Sequence, residues 1–293
     1  MNLALTVLEI VAPVFLLAAF GFAWVKLGNE YRINFITRLA MSVGVPCLIF
    51  VSLMQAEIDR SALATLSFAT VATYAVITVV MWGLVAVTGL HRRTYLAPII
   101  FANTGNLGLP LAFFAFGQVG LNYAIVAFAI MAIWSFTFGI WLVAGEGAWN
   151  KVVREPLVWA TLLGALFLWQ GWETPSFLTN TLELFGQLGI PLMLITLGVA
   201  VARLTPSGIG KAVVLSAAKL ALCAGIAWII GRAFELEPIA FGVLVLQAAT
   251  PVAVTSYLLA EKYGADAEAV AGLVVVSTLM AVGGLPLILA TLL

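Results

Sequence analysis

The feature that most restricts this chain is the recurrence of apolar stretches, each about 20 residues long, separated by short polar connections. A helix rises about 1.5 Å per residue, so roughly 20 apolar residues cross the ~30 Å hydrocarbon core of a bilayer. Ten such stretches can be laid along the 293 residues, at 4–25, 34–54, 64–88, 94–117, 120–143, 156–171, 178–202, 209–234, 238–260 and 267–292. They use most of the chain and leave no room for a separate soluble domain. Only 9% of the residues are charged, against about 25% in an ordinary soluble domain. Thirteen Lys and Arg balance thirteen Asp and Glu, which removes the electrostatic case for a nucleic-acid partner. The lipid bilayer is the expected partner. The first stretch has no basic flank before it and is too long for the apolar region of a signal peptide, so it reads as a retained span. The expected fold class is an all-α polytopic membrane protein with ten transmembrane helices.

Basic residues give the expected orientation. Lys26, Arg32, Arg38, Arg92, Arg93, Lys151, Arg154, Arg203, Lys211 and Lys262 fall on one side, and Arg60 and Arg232 on the other. The first side is therefore cytoplasmic, and both termini of a ten-span chain lie outside. For a bacterial cell this means the inner (plasma) membrane with periplasmic termini.

The sequence also repeats. Gly44-Val45-Pro46-Cys47-Leu48-Ile49 resembles Gly189-Ile190-Pro191-Leu192-Met193-Leu194 at an offset of 145, and Trp82 and Trp228 correspond at an offset of 146. The fourth stretch of each half is interrupted by Gly, Pro and small polar residues. Five spans is an odd number, so the halves, 1–148 and 149–293, are expected to be inverted relative to each other. Inverted repeats with corresponding broken helices are a recurrent transporter plan, with the substrate near the midplane where the breaks meet.

The first break reads Phe101-Ala102-Asn103-Thr104-Gly105-Asn106-Leu107-Gly108-Leu109-Pro110. The glycines permit non-helical backbone, and Pro110 lacks an N–H and crowds the preceding turn. Unwound peptide at membrane depth is tolerated only when buried in protein or lining a watery cavity. The half-helix that follows aims N–H groups and a partial positive charge at that cavity. Asn103, Thr104, Asn106, Gly108 and Pro110 are the candidate substrate residues here. The second break reads Gln247-Ala248-Ala249-Thr250-Pro251-Val252-Ala253-Val254-Thr255-Ser256. Pro251 frees a carbonyl one turn back, within reach of a Thr250, Thr255 or Ser256 hydroxyl. Gln247, Thr250, Pro251, Thr255 and Ser256 complete the candidate set. Two positive half-helix ends crossing near the midplane make a neutral chain attractive to an anion, so a small carboxylate is the expected substrate.

Other polar residues are less decisive. Lys219 lies well inside the eighth stretch, either as an electrostatic or gating element beside the anion path or snorkelling to the headgroups. Gln187 is close to the second repeat proline and within reach of the cavity. Glu9 is placed at the outer interface or as a proton or cation partner, and Glu183 likewise. Pro46 and Pro191 read as bends in a supporting scaffold. Cys47 and Cys223 read as small packing residues, and His91, the single histidine, as an interfacial residue. No metal-ligand spacing, nucleotide loop or nucleophile–base set is visible, so neither a cofactor nor an enzyme is expected. Na+ and H+ are both compatible with the sequence as coupling ions.

The run Asn103-Thr104-Gly-Asn-Leu-Gly108-Leu-Pro110-Leu resembles the fourth-helix crossover of the auxin efflux carrier family, and Gln247 through Asp266 to Pro286 resembles its last two helices. The resemblance covers essentially the whole chain. It implies a fold like that of sodium/bile-acid symporters, with spans 1, 2, 6 and 7 as a dimerising scaffold and spans 3–5 and 8–10 as a moving transport domain. It also implies an elevator-type cycle carrying an organic anion, such as malate, malonate or an auxin-like indole acid. A sodium-coupled symporter of bile-acid-like anions and, behind it, a passive channel are the alternatives. Asn103, Pro110 and Pro251 match the family's crossover residues. Plant members carry a long central loop and an acidic support residue in the third span, and this sequence has neither in 145–155 or 64–88.

Overall fold

A computed structural model describes residues 3–56, 60–144 and 156–293. The central connection 145–155, with Trp149, Lys151 and Arg154, lies outside the described residues, and so does the expected boundary between the halves at 148/149. The described residues form helices, in chain order α1 (Leu3–Lys26), α2 (Ile33–Met54), α3 (Arg60–Thr88) and α4 (Arg92–Ile100). There follow α5 (Thr104–Val143), α6 (Pro156–Gln170), α7 (Ser176–Arg203) and α8 (Ile209–Ala233). The last three are α9 (Pro238–Ala249), α10 (Val254–Lys262) and α11 (Ala267–Leu292). Seven of these are long and apolar enough to cross a membrane, and α6 and α9 are shorter apolar helices. Among the described residues the fold is all-helical, as a polytopic membrane protein requires.

At 40 residues, α5 is about twice as long as a bilayer crossing requires. Its helical path fails at Gly117 (φ 64°, ψ −154°), a conformation that glycine adopts without steric cost. The outer surface carries large apolar side chains. Phe68, Val79, Trp159, Leu184, Ile229 and Leu287 are each more than half exposed, which in water would be an aggregation liability and in lipid is the normal state.

Small residues let the helices approach closely, as membrane packing requires. A Cβ on Gly198 of α7 would lie 2.6 Å from the Ala18 carbonyl carbon of α1, and one on Gly21 would lie 2.9 Å from the Ile195 carbonyl carbon. α6 packs along α2 in the same manner, with Gly164 against Leu53. The two glycines of the repeated hexapeptide meet each other, and a Cβ on Gly44 would be 3.2 Å from the Gly189 Cα. Two of the three wider π-turns, Ala40–Gly44 and Thr104–Gly108, lie just ahead of Pro46 and Pro110. A widened turn gives the proline ring room that a regular i to i−4 ladder denies it.

Candidate functional site

Both sequence breaks are real and they touch. Helix α4 ends at Ile100 and α5 begins at Thr104, leaving Phe101–Asn103 unwound; α9 ends at Ala249 and α10 begins at Val254. Ala102 and Val252 pair antiparallel, and the Asn103 N–H donates to the Pro251 carbonyl at 2.7 Å. The unwound segments thus satisfy part of each other's backbone. Neighbouring helices satisfy more of it. The Lys219 ammonium of α8 donates to the Thr250 carbonyl at 3.0 Å, and the Val252 N–H donates to Ser277 Oγ of α11 at 3.0 Å. The carbonyl that Pro251 leaves without its helical donor belongs to Gln247, and the Thr250 hydroxyl donates to it at 2.8 Å. That is the local repair expected from the sequence.

The breaks are narrower than their composition suggests. Gly105, Gly108 and Pro110 sit inside regular or π-type helix. Gly108 is needed for packing instead, because its Cβ would overlap Gln247 Oε1 and lie 2.8 Å from Gln247 Cδ. Pro110 is tolerated in the opening turn of the α-helical part of α5, where its missing N–H costs little.

Beneath the crossover, on the side of the basic loops, lies a cavity of about 610 Å³ between α2, α7, α5 and α10. That size is ordinary for a small-molecule site. Asn106 lines it from the first turns of α5, and Val254 and Thr255 from the first turn of α10. The first N–H groups of a helix have no acceptor within it, so two positive helix ends face this space. Thr37, Arg38 and Met41 line it from α2, and Met193, Thr196 and Arg203 from α7. Among the described residues, none of its lining side chains is acidic.

A family model described as a membrane transport protein matches residues 6–155 and again 140–289. The chain belongs to this family, that of the auxin efflux carriers. It is similar over its whole length to an uncharacterized transporter of Methanothermobacter thermautotrophicus, at 28% identity over 95% of this chain and 96% of that protein. It is also similar to auxin efflux carrier component 8 of Arabidopsis thaliana, at 29% identity over 46% of this chain and 38% of the plant protein. A probable auxin efflux carrier component 5b of Oryza sativa subsp. japonica matches at 26% identity over 46% of this chain and 38% of its own length.

In this transporter the sequence-predicted residues divide into two groups. Asn106 and Thr255 line the cavity. Asn103, Thr104, Gly108, Pro110, Gln247, Thr250, Pro251 and Ser256 are buried within and around the crossover. Asn103 Nδ2, Thr104 Oγ1 and Gln247 Oε1 are buried with no hydrogen-bond partner among the described residues. Lys219 is 2% exposed and faces the crossover, which excludes the snorkelling alternative. Gln187 is exposed at the end of the first arm of α7, and Glu9 is exposed on α1; neither lines this cavity.

The rim of the carrier's cavity holds what the sequence did not single out. Arg203 Nη2 donates to the Tyr31 carbonyl at 2.6 Å, and the Tyr31 hydroxyl shares a 2.7 Å hydrogen bond with Thr196 Oγ1. Burial pushes the Tyr31 hydroxyl pKa up, while the Thr196 bond and the Arg203 charge pull it down. Arg38 makes no hydrogen bond or ion pair among the described residues. In the sequence both arginines read only as topology charges, although Arg38 lies one turn inside the second apolar stretch.

Proposed function

We propose that this transporter carries a small organic anion bearing a carboxylate, and that the anion binds in the cavity below the crossover. The observation that carries the reading is that the opening turns of two helices, at Asn106 and at Val254–Thr255, meet Arg38 and Arg203 on one cavity that has no acidic lining among the described residues. The Asn106 amide and Thr255 hydroxyl are the side-chain donors for the carboxylate, and Met41, Met193 and Leu258 face its apolar part. The names of the plant relatives put auxin among the anions to be tested, beside small mono- and dicarboxylates.

α1, α2, α6 and α7 form the scaffold and the dimer contact, and α3–α5 with α8–α11 form the transport domain that slides as an elevator. Two inverted five-span halves underlie this partition. Its support is the meeting of like with like: Gly44 with Gly189, one crossover with the other, and α1 along α7 where α6 lies along α2. The basic loops face the cytoplasm of a plasma membrane, so the conformation described is open inward.

A binding and uptake screen of organic acids with purified, reconstituted protein tests the reading. At least one carboxylate should compete for a saturable site, and N106A with T255A should weaken its binding at least tenfold while both variants keep the wild-type melting temperature. Unchanged affinity in both variants moves the site elsewhere. Single-channel currents in place of saturable counterflow would replace the carrier with a pore.

A further inference from the structure

Lys219 is the eleventh residue of α8 (Ile209–Ala233), about 15 Å along the helix, roughly half the depth of a hydrocarbon core. An ammonium at that depth is retained only with compensation. Its compensation is specific. Nζ donates to the carbonyl of Thr250, the residue that caps the C-terminal end of α9. The last carbonyls of a helix lack intrahelical donors and carry its partial negative charge. Beside Nζ is a small recess lined by Ser216, Thr250, Pro251, Ser277 and Met280, with only about 10 Å³ left open, no more than about one water occupies. The Ser216 hydroxyl is 3% exposed and has no partner among the described residues. Among the described residues no carboxylate lines the recess; the titratable group facing Lys219 is Cys223, one turn on along α8, with Tyr74 of α3 beside Cys223.

Unwound carbonyls, hydroxyls and a half-helix C-terminus are the donor set with which broken-helix transporters hold an exchangeable cation. We infer that the Lys219 ammonium is a resident cation filling such a site, so that the crossover is held without an exchangeable one, and that removing it leaves a site for a small monovalent cation, Na+ or a primary alkylammonium. The positive charge is covalent, and it travels with the crossover wherever the crossover goes. Only the anion-binding consequence rests on the function proposed above.

The experiment compares melting temperatures at fixed ionic strength in choline chloride, NaCl and ethylammonium chloride. Wild-type protein should melt at one temperature in all three. K219A should melt lower in choline by roughly 5 °C, the effect of one unpaired buried carbonyl in a chain of this size. Ethylammonium or Na+ at millimolar concentration should restore at least half of that loss. K219R should stay near wild type, and K219M, whose side chain fills the vacated space, should fall like K219A in choline without rescue by Na+ or ethylammonium. Stabilisation of wild type by Na+ over choline would overturn the inference, because it reveals an exchangeable site beside the lysine. So would a K219A protein that melts like wild type in choline, or one that is monodisperse yet indifferent to both added cations. If K219A cannot be purified, the wild-type comparison and K219R against K219M still decide. Anion affinity should be equal in NaCl and choline for wild type. Finding no anion bound at all would defeat the function reading alone, since the melting comparisons do not use an anion.

Discussion

Substituting Gly108 by alanine probes the interlock of the two broken helices. The added methyl would overlap Gln247 Oε1 and lie 2.8 Å from Gln247 Cδ, against a comfortable carbon–carbon separation of about 3.5–4.0 Å. Gln247 is 1% exposed, and among the described residues its Nε2 reaches only the Ala124 carbonyl, at 3.5 Å. The amide has nowhere to swing, so either it leaves its rotamer and that contact, or α5 and α9 separate by about 1 Å. Separation would strain the 2.7 Å bond from Asn103 N–H to the Pro251 carbonyl. Overpacking of this kind costs about 1–3 kcal/mol, and the lost contact to Ala124 adds up to about 1 kcal/mol. Q247A alone loses buried packing but also removes an unpartnered Oε1, and should cost about 1–2 kcal/mol. In the double variant the methyl added at position 108 enters space that the amide has vacated, so G108A should then be nearly free of cost. A double-mutant cycle by denaturant unfolding in detergent micelles should therefore return a coupling of about 1–3 kcal/mol. Additivity within about 0.5 kcal/mol would refute the claim that Gly108 is present to seat Gln247.

Other outcomes follow from the same geometry. R38Q should weaken anion binding several-fold at low salt and much less at high salt, because a rim charge acts through a screened field; equal losses at both salt levels would place Arg38 in direct contact with the anion. G198L should abolish the α1–α7 approach, since even a Cβ there lies 2.6 Å from the Ala18 carbonyl carbon, and the variant should lose at least about 3 kcal/mol or fail to accumulate in the membrane. T250V keeps the volume but removes the hydroxyl that serves the Gln247 carbonyl, and unfolding should report a loss of about 1–2 kcal/mol. Y31F should leave transport unchanged up to about pH 9, because burial holds the hydroxyl protonated in wild type; a wild-type transition below that pH, absent from Y31F, would contradict it.

The sequence carried the position of the breaks because breaking a membrane helix requires residues with no other use there. Two Asn, a Thr, two Gly and a Pro within eight positions have little place in a continuous span, and Thr250-Pro251 foretells its own hydroxyl repair. The extent of the break was not legible. Gly108 is a glycine because of Gln247, a residue 139 positions away, and a contact partner leaves no local trace. Polarity near a break also misleads about which side chains are available to a ligand. Those at the crossing itself are enclosed by the other segment, as Asn103 and Thr250 are, while Asn106 and Thr255, about one turn further on, face the open space. Lys219 is eight residues from Lys211, a spacing that suits snorkelling as well as a deep placement, and only the proximity of Thr250 decides between them.

The polarity of the site follows from how the four helix ends at the crossover are served. A broken helix has a negative end and a positive end at each break, and burial demands that each find opposite charge, a hydrogen bond or water. The negative end of α9 meets the Lys219 ammonium, and the strand that leaves α4 is tied by Ala102 to Val252. The two positive ends, of α5 and α10, instead open on the one large cavity lined by both segments. At the α9 end the protein thus serves the Gln247 and Thr250 carbonyls from within, while the opening turns of α5 and α10 border a cavity. On the function proposed above, that asymmetry is what would let an overall neutral chain favour an anion, with the rim arginines adding attraction at the entrance.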